Sequence, residues 1–149
     1  MASTLFQAPQ YDPGRERRRR QIIAAIAVLV VLLGMLAYLF RNWPEERIVD
    51  RFFTFLEKKD FEAAYGIWVS DKNWKQHPQQ HSRYPFNEFY LDWGPGGEFG
   101  AIRSHKIEAS GSPPRGGSGV IVVVTINDRK EPARLWVEKS DKSLTFSPY

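Results

Sequence analysis

Few side chains in this chain have the type and spacing to do chemistry. His77 and His81 stand four residues apart, the separation at which two imidazoles on one helical face share a metal ion. No glutamate follows the first of them, no third ligand is evident, and Pro78, Gln79 and Gln80 between them read as a solvated loop. No metal and no cofactor is expected. Acid–base work needs a carboxylate or imidazole in apolar surroundings, with a donor for a developing oxyanion. Asp92 beside Tyr90 and Trp93, and Asp71 near Trp74, are the available combinations. Neighbours on a helix point in different directions, so Asp92 should face away from the aromatic seam, and both carboxylates read as surface groups. His105, between Ser104 and Lys106 on a strand pattern, reads as exposed. No catalytic residue is expected.

Residues 92–100 (DWGPGGEFG) are the most unusual stretch. Its glycines could cradle an anion, but the phosphate-loop order is missing and a strand pattern follows. We read it as a helix-to-strand corner that needs positive φ. The chain has no cysteine, which excludes disulfides, thiolate zinc sites, thiol catalysis and a lipoprotein anchor.

The element that positions everything else is residues 21–40, QIIAAIAVLVVLLGMLAYLF, with no charge from residue 22 to residue 40. As a helix those residues span about 28 Å, close to the hydrocarbon thickness of a bilayer. The chain is too short to bury such a helix, so we read it as a transmembrane span. Arg15, Arg17, Arg18, Arg19 and Arg20 precede it, and the arginines after it are diluted by Glu45, Glu46 and Asp50. Positive charge stays inside, so residues 1–20 are expected to be a cytoplasmic basic tail and residues 41–149 an extracytoplasmic domain at the cytoplasmic (inner) membrane. Tyr38 and Trp43 suit the aromatic belt at the outer interface. A cleaved secretory signal is the competing reading, but the apolar run is longer than usual and no A-x-A-like site follows.

Net charge is +4. Five arginines against Asp12 and Glu16 leave +3 in residues 1–20 and +1 in all the rest. The outer domain therefore lacks the basic stripe that nucleic acid requires, and the basicity belongs to topology and to anionic headgroups. Residues 1–14 are polar and without periodicity and read as a disordered tail; Leu5, Phe6 and Tyr11 would be its anchors on a partner.

The outer domain starts with Pro44 and a helix to about residue 59, carrying Ile48, Val49, Phe52, Phe53 and Leu56 at three- and four-residue spacing. Asp60 is an N-cap for a second helix, 61–69, with Phe61, Ala64, Tyr65 and Trp68 on one face. Residues 70–84 read as a loop with a short turn of helix at 72–76. Phe86, Phe89, Tyr90 and Trp93 repeat the helical spacing, and Gly94 should end that helix as a left-handed cap. Strands are expected at 101–109, 120–126, 133–139 and 144–147, joined by turns, with the β-branched run 120–126 buried on both faces. The fold class is α+β: a helical hairpin, a short helix and a curved antiparallel sheet of about four strands, behind one N-terminal transmembrane helix.

With DFEAAY (60–65) at the bend of the hairpin, this order of elements resembles the nuclear-transport-factor-two-like cone fold, the superfamily of ketosteroid isomerase and of many small domains behind a single membrane anchor. The resemblance covers about residues 43–149. It implies a pocket between helices and concave sheet, lined by Trp68, Phe89, Tyr90 and Trp93, used for catalysis in some members and for binding or assembly in others. The expected function is a single-pass, membrane-anchored, non-catalytic binding or scaffold domain, an accessory subunit with membrane-protein partners. A ligand-binding or enzymatic cone pocket is the alternative. Self-association through the open sheet face or the span is the third reading.

Overall fold

The computed structural model describes residues 13–149. The reading of the N-terminal tail, with Leu5, Phe6 and Tyr11 as anchors, lies outside the described residues. The chain divides into two compact units, Met1–Arg41 and Asn42–Tyr149.

Among its described residues the first unit holds one helix, α1 (Pro13–Leu39), of 27 residues. It begins before the apolar run, so the five arginines are helical too, and Arg20 pairs with Glu16 one turn earlier at 2.9 Å. No residue of α1 is buried. Its most apolar 18-residue window has a mean hydropathy of 2.9, long and apolar enough to cross a membrane. At its end the Arg41 guanidinium lies 4.6 Å from the centre of the Tyr38 ring.

The second unit is α+β. Helix α2 (Trp43–Glu57) has proline in its first turn, followed by Glu45 and Glu46, where acidic side chains complement the helix dipole. It ends in a Schellman motif: Asp60 N–H donates to Phe55 C=O at 2.9 Å and Lys59 N–H to Leu56 C=O at 3.0 Å. Lys59 holds the left-handed position, φ 59°. Asp60 then caps α3 (Phe61–Trp68), its carboxylate accepting from Ala63 N–H at 3.1 Å. The end of α3 repeats the motif, with Asp71 N–H on Gly66 C=O, Ser70 N–H on Ile67 C=O, and Ser70 at φ 55°.

Two short 3-10 turns, Trp74–Gln76 and Pro78–His81, lead into α4 (Phe86–Trp93). Gly94 closes that helix in an extended conformation, φ −76° and ψ 179°, rather than as the expected left-handed cap.

Strands β1 (His105–Gly111), β2 (Gly119–Ile126), β3 (Ala133–Glu138) and β4 (Leu144–Phe146) form an open antiparallel meander in chain order. The first strand starts at His105 rather than at residue 101, because Asn127 captures the preceding backbone. Its side-chain oxygen accepts from Arg103 N–H at 2.8 Å and Ser104 N–H at 3.2 Å, and its amide donates to Ala101 C=O at 2.8 Å. A register shift between Ile107 and Ala109 then lets the strand run on to Gly111.

The helices cover one sheet face. Val49, Phe52, Phe53 and Leu56 of α2, Tyr65 and Trp68 of α3 and Phe89 and Trp93 of α4 share a core with Val120, Val122, Val124, Leu135 and Val137. The second strand is therefore fully buried on one face only: Ile121, Val123 and Thr125 are half-buried. What shelters the far face is the Trp136 indole, which lies where a Cβ on Gly119 would stand and 2.8 Å from where one on Gly117 would stand. Pro113, buried, comes within 3.1 Å of that same point at Gly117, so the glycine-rich β1–β2 turn packs onto the sheet.

Candidate functional site

The space between helices and sheet is filled with rings. Trp68 is 4 % exposed, Phe89 0 % and Trp93 1 %. Trp93 stacks between Phe99 at 5.2 Å and Phe146 at 5.5 Å and meets the edge of Phe52 at 5.1 Å. Its indole N–H is buried without a hydrogen-bond partner. Tyr90 is exposed on the outside of α4, its ring 5.0 Å from Phe61. Three of the four residues expected to line a cone pocket are thus packed core and the fourth faces solvent.

The acid–base candidates of the sequence fall into three separate clusters. Asp71 sits at the end of α3 and accepts on one oxygen from both His81, at 3.1 Å, and His77, at 2.9 Å; its other oxygen accepts from Asn73 N–H at 2.8 Å. Those bonds, His81 first, hold its carboxyl down at about 2. The two histidines do converge, on a carboxylate. Among the described residues no hydroxyl bonds either ring, and no three His, Cys, Asp or Glu side chains are arranged to hold a metal ion.

Asp92, exposed as expected, accepts from the Tyr84 hydroxyl at 2.7 Å. Burial, and then the Asp92 carboxylate, push the Tyr84 phenol up, so it stays a donor. The Tyr65 hydroxyl donates to Tyr84 C=O at 2.8 Å, and burial raises its pKa as well. Both bonds staple the 70–84 segment to α3 and α4.

The third cluster overturns the reading of His105 as exposed. Its side chain is 10 % exposed, stacked on Phe53 at 5.3 Å, with Glu57 at 2.5 Å on Nδ1 and Asp50 at 3.1 Å on Nε2. The two carboxylates are one face of α2, seven residues apart, and the imidazole ties β1 to that helix. Nothing local could have placed them there.

The 92–100 loop offers no cradle for an anion. Gly94 N–H bonds Tyr90 C=O, Gly97 N–H bonds Gly94 C=O, and Gly100 N–H bonds Gly97 C=O. Gly97 is required by close approach, since a Cβ there would lie 2.8 Å from Leu91 C=O and nearer still to Asp92 C=O; positive φ is needed only at Gly100, +64°.

A cleft of about 420 Å³ lies elsewhere, on the helical hairpin. Ile48, Arg51 and Phe55 line it from α2, Ala63, Gly66 and Ile67 from α3, and Lys72 and Trp74 from the loop beyond. Trp74 is fixed by three contacts: its indole N–H donates to Glu62 C=O at 3.3 Å, its ring stacks on Phe86 at 5.1 Å and it meets the Tyr65 ring at 4.8 Å. Lys142, from the β3–β4 turn, completes the wall. Its ammonium donates at 2.7 Å to Glu45, which is 4 % exposed and whose second carboxylate oxygen is buried without a partner. Ser70 donates to Asp141 C=O in that turn, closing the same end. A sequence signal for the cleft existed. Ile48 and Phe55 stand seven residues apart beside the 49/52/53/56 stripe, making the apolar arc of α2 wider than one contact with the sheet needs.

Of the topology residues, Arg15, Arg17, Arg18, Arg19, Arg20 and Tyr38 are all exposed along α1. Trp43 is 48 % exposed at the start of α2, with the Arg47 guanidinium 4.7 Å from its ring centre. Compared with known protein families, curated proteins and solved structures, the chain matches none.

Proposed function

We propose that this is a single-pass membrane protein, N-terminus inside, whose α+β domain is a non-catalytic binding module of the nuclear-transport-factor-two-like type. It works as an accessory subunit beside other membrane proteins at the outer face of the cytoplasmic membrane. One observation carries the reading: α1 offers an apolar surface with no buried residue along its whole length, which water would not tolerate. The arginine excess at its start, the exposed Tyr38 near its end and the exposed Trp43 beyond it agree with that orientation. The non-catalytic part is supported by the acid–base groups, each engaged in a hydrogen bond that holds one element to another.

The test is gentle solubilisation of the tagged full-length protein from its native membrane, after an alkaline carbonate wash. The protein is expected to stay with the membrane through the wash and to bring a stoichiometric membrane-protein partner. Release by carbonate would overturn the anchor, and a lone protein would overturn the subunit role. A second reading, small-ligand binding, is favoured by the hairpin cleft, whose volume falls within the usual range for ligand sites.

A further inference from the structure

The cleft on the hairpin has a chemistry of its own. Its lining joins the half-buried Ile48, Phe55, Ile67 and Trp74 to the exposed Arg51 and Lys72. Neither of these two cations has a hydrogen bond or ion pair among the described residues. The one carboxylate on the lining, Glu62, is already held by Lys75 at 2.5 Å. An apolar trough with two uncommitted cations at its edge favours a molecule with an apolar body and an anionic end. A peptide suits it less well. The walls come mostly from α2 and α3, whose backbone groups are spent inside their own helices, so a bound peptide backbone would find few partners. An acyl chain needs none.

We propose that this cleft binds an anionic single-chain lipid, with the acyl chain along Ile48, Phe55, Ile67 and Trp74 and the carboxylate or phosphate head between Arg51 and Lys72. The occupant comes from the membrane, because in sequence the domain follows the apolar helix after only three residues, from Leu39 to Trp43. The inference rests on the small-ligand reading of this cleft and on the membrane anchor, and it names the ligand class.

The test uses the full-length protein in phosphatidylcholine nanodiscs and a photoactivatable laurate, with adducts mapped by mass spectrometry. Probe dissolved in the bilayer labels α1 and serves as an internal control. Adducts are expected in α2, α3 and around Trp74, displaced by unlabelled laurate. Ala63→Trp, which fills the cleft, and the pair Arg51→Glu with Lys72→Glu, on exposed positions, should each cut them about fivefold or more, with α1 adducts unchanged. The near-ultraviolet circular dichroism of each variant reports whether it is folded. Labelling of α1 alone overturns the inference and leaves the anchor standing. Labelling of the cleft without α1 supports the ligand class but overturns the anchor, and with it the membrane as the source of the occupant. Cleft adducts that persist in folded variants, or that an acidic peptide displaces and laurate does not, overturn the lipid assignment.

Discussion

Lys142→Met isolates the pair that joins the start of α2 to the β3–β4 turn. Glu45 is buried, and the Lys142 ammonium at 2.7 Å is the partner of one of its oxygens while the other has none. Removing one member of a fully buried pair costs about 3–5 kcal/mol, because the remaining charge stays desolvated. Two features reduce that here. The Lys142 side chain is 40 % exposed, so water reaches the vacated position, and Glu45 sits in the first turn of α2, where the helix dipole offsets part of its charge. The expected loss is about 2 kcal/mol. Methionine keeps a non-glycine residue at φ 63°, so backbone strain is unchanged and the difference reports the lost charge. Adding Glu45→Met removes the stranded carboxylate and should return stability to within about 1 kcal/mol of the parent. All five tryptophans lie in Asn42–Tyr149, so urea unfolding of the full chain in micelles, followed by tryptophan fluorescence, reads this unit alone. A single substitution costing under about 0.5 kcal/mol, or a double variant losing the sum of the two singles, would refute the reasoning.

Gly119→Val drives a side chain into the Trp136 indole and should cost about 1–3 kcal/mol in the same assay, a loss that Trp136→Ala in the same chain partly relieves. Lys59→Gly releases left-handed strain at φ 59° and should raise the urea midpoint, a gain in stability of up to about 1 kcal/mol. Ser70→Gly, at φ 55°, should gain less because it also removes the hydroxyl bond to Asp141 C=O. Asp71 has its carboxyl held at about 2, below its ordinary value of 3.8. The depressed value means its stabilisation is present in full above the ordinary value and is lost as pH falls toward 2. Unfolding measured between pH 2 and pH 6 should therefore show an acid limb that is shallower in Asp71→Asn. An equal slope in the variant would remove Asp71 from the account.

What the sequence determined is local. Apolar spacing, with Pro44, Asp60 and Gly94 marking ends, delimited α2, α3 and α4 to within about two residues, because an amphipathic helix writes its period into the chain whatever it packs against. Asp60 announced its own cap, and the turns between β-branched runs announced a meander. The apolar run of α1 needed nothing beyond composition. It is the contacts between distant residues that only the tertiary structure decided. With the helices on one sheet face, β2 is buried on one side, and a β-branched run reads the same either way. Asn127 takes residues 101–104 out of the sheet across more than twenty positions. His105 meets Asp50 and Glu57 across about fifty. Lys59 and Ser70 hold left-handed positions without being glycine, since the Schellman hydrogen bonds on either side outweigh the strain. The interior that sequence reading assigned to a pocket was instead filled by the bulk of Trp68, Phe89 and Trp93. The open volume moved to the outside of the hairpin, where Gly66 and Ala63 are too small to close it.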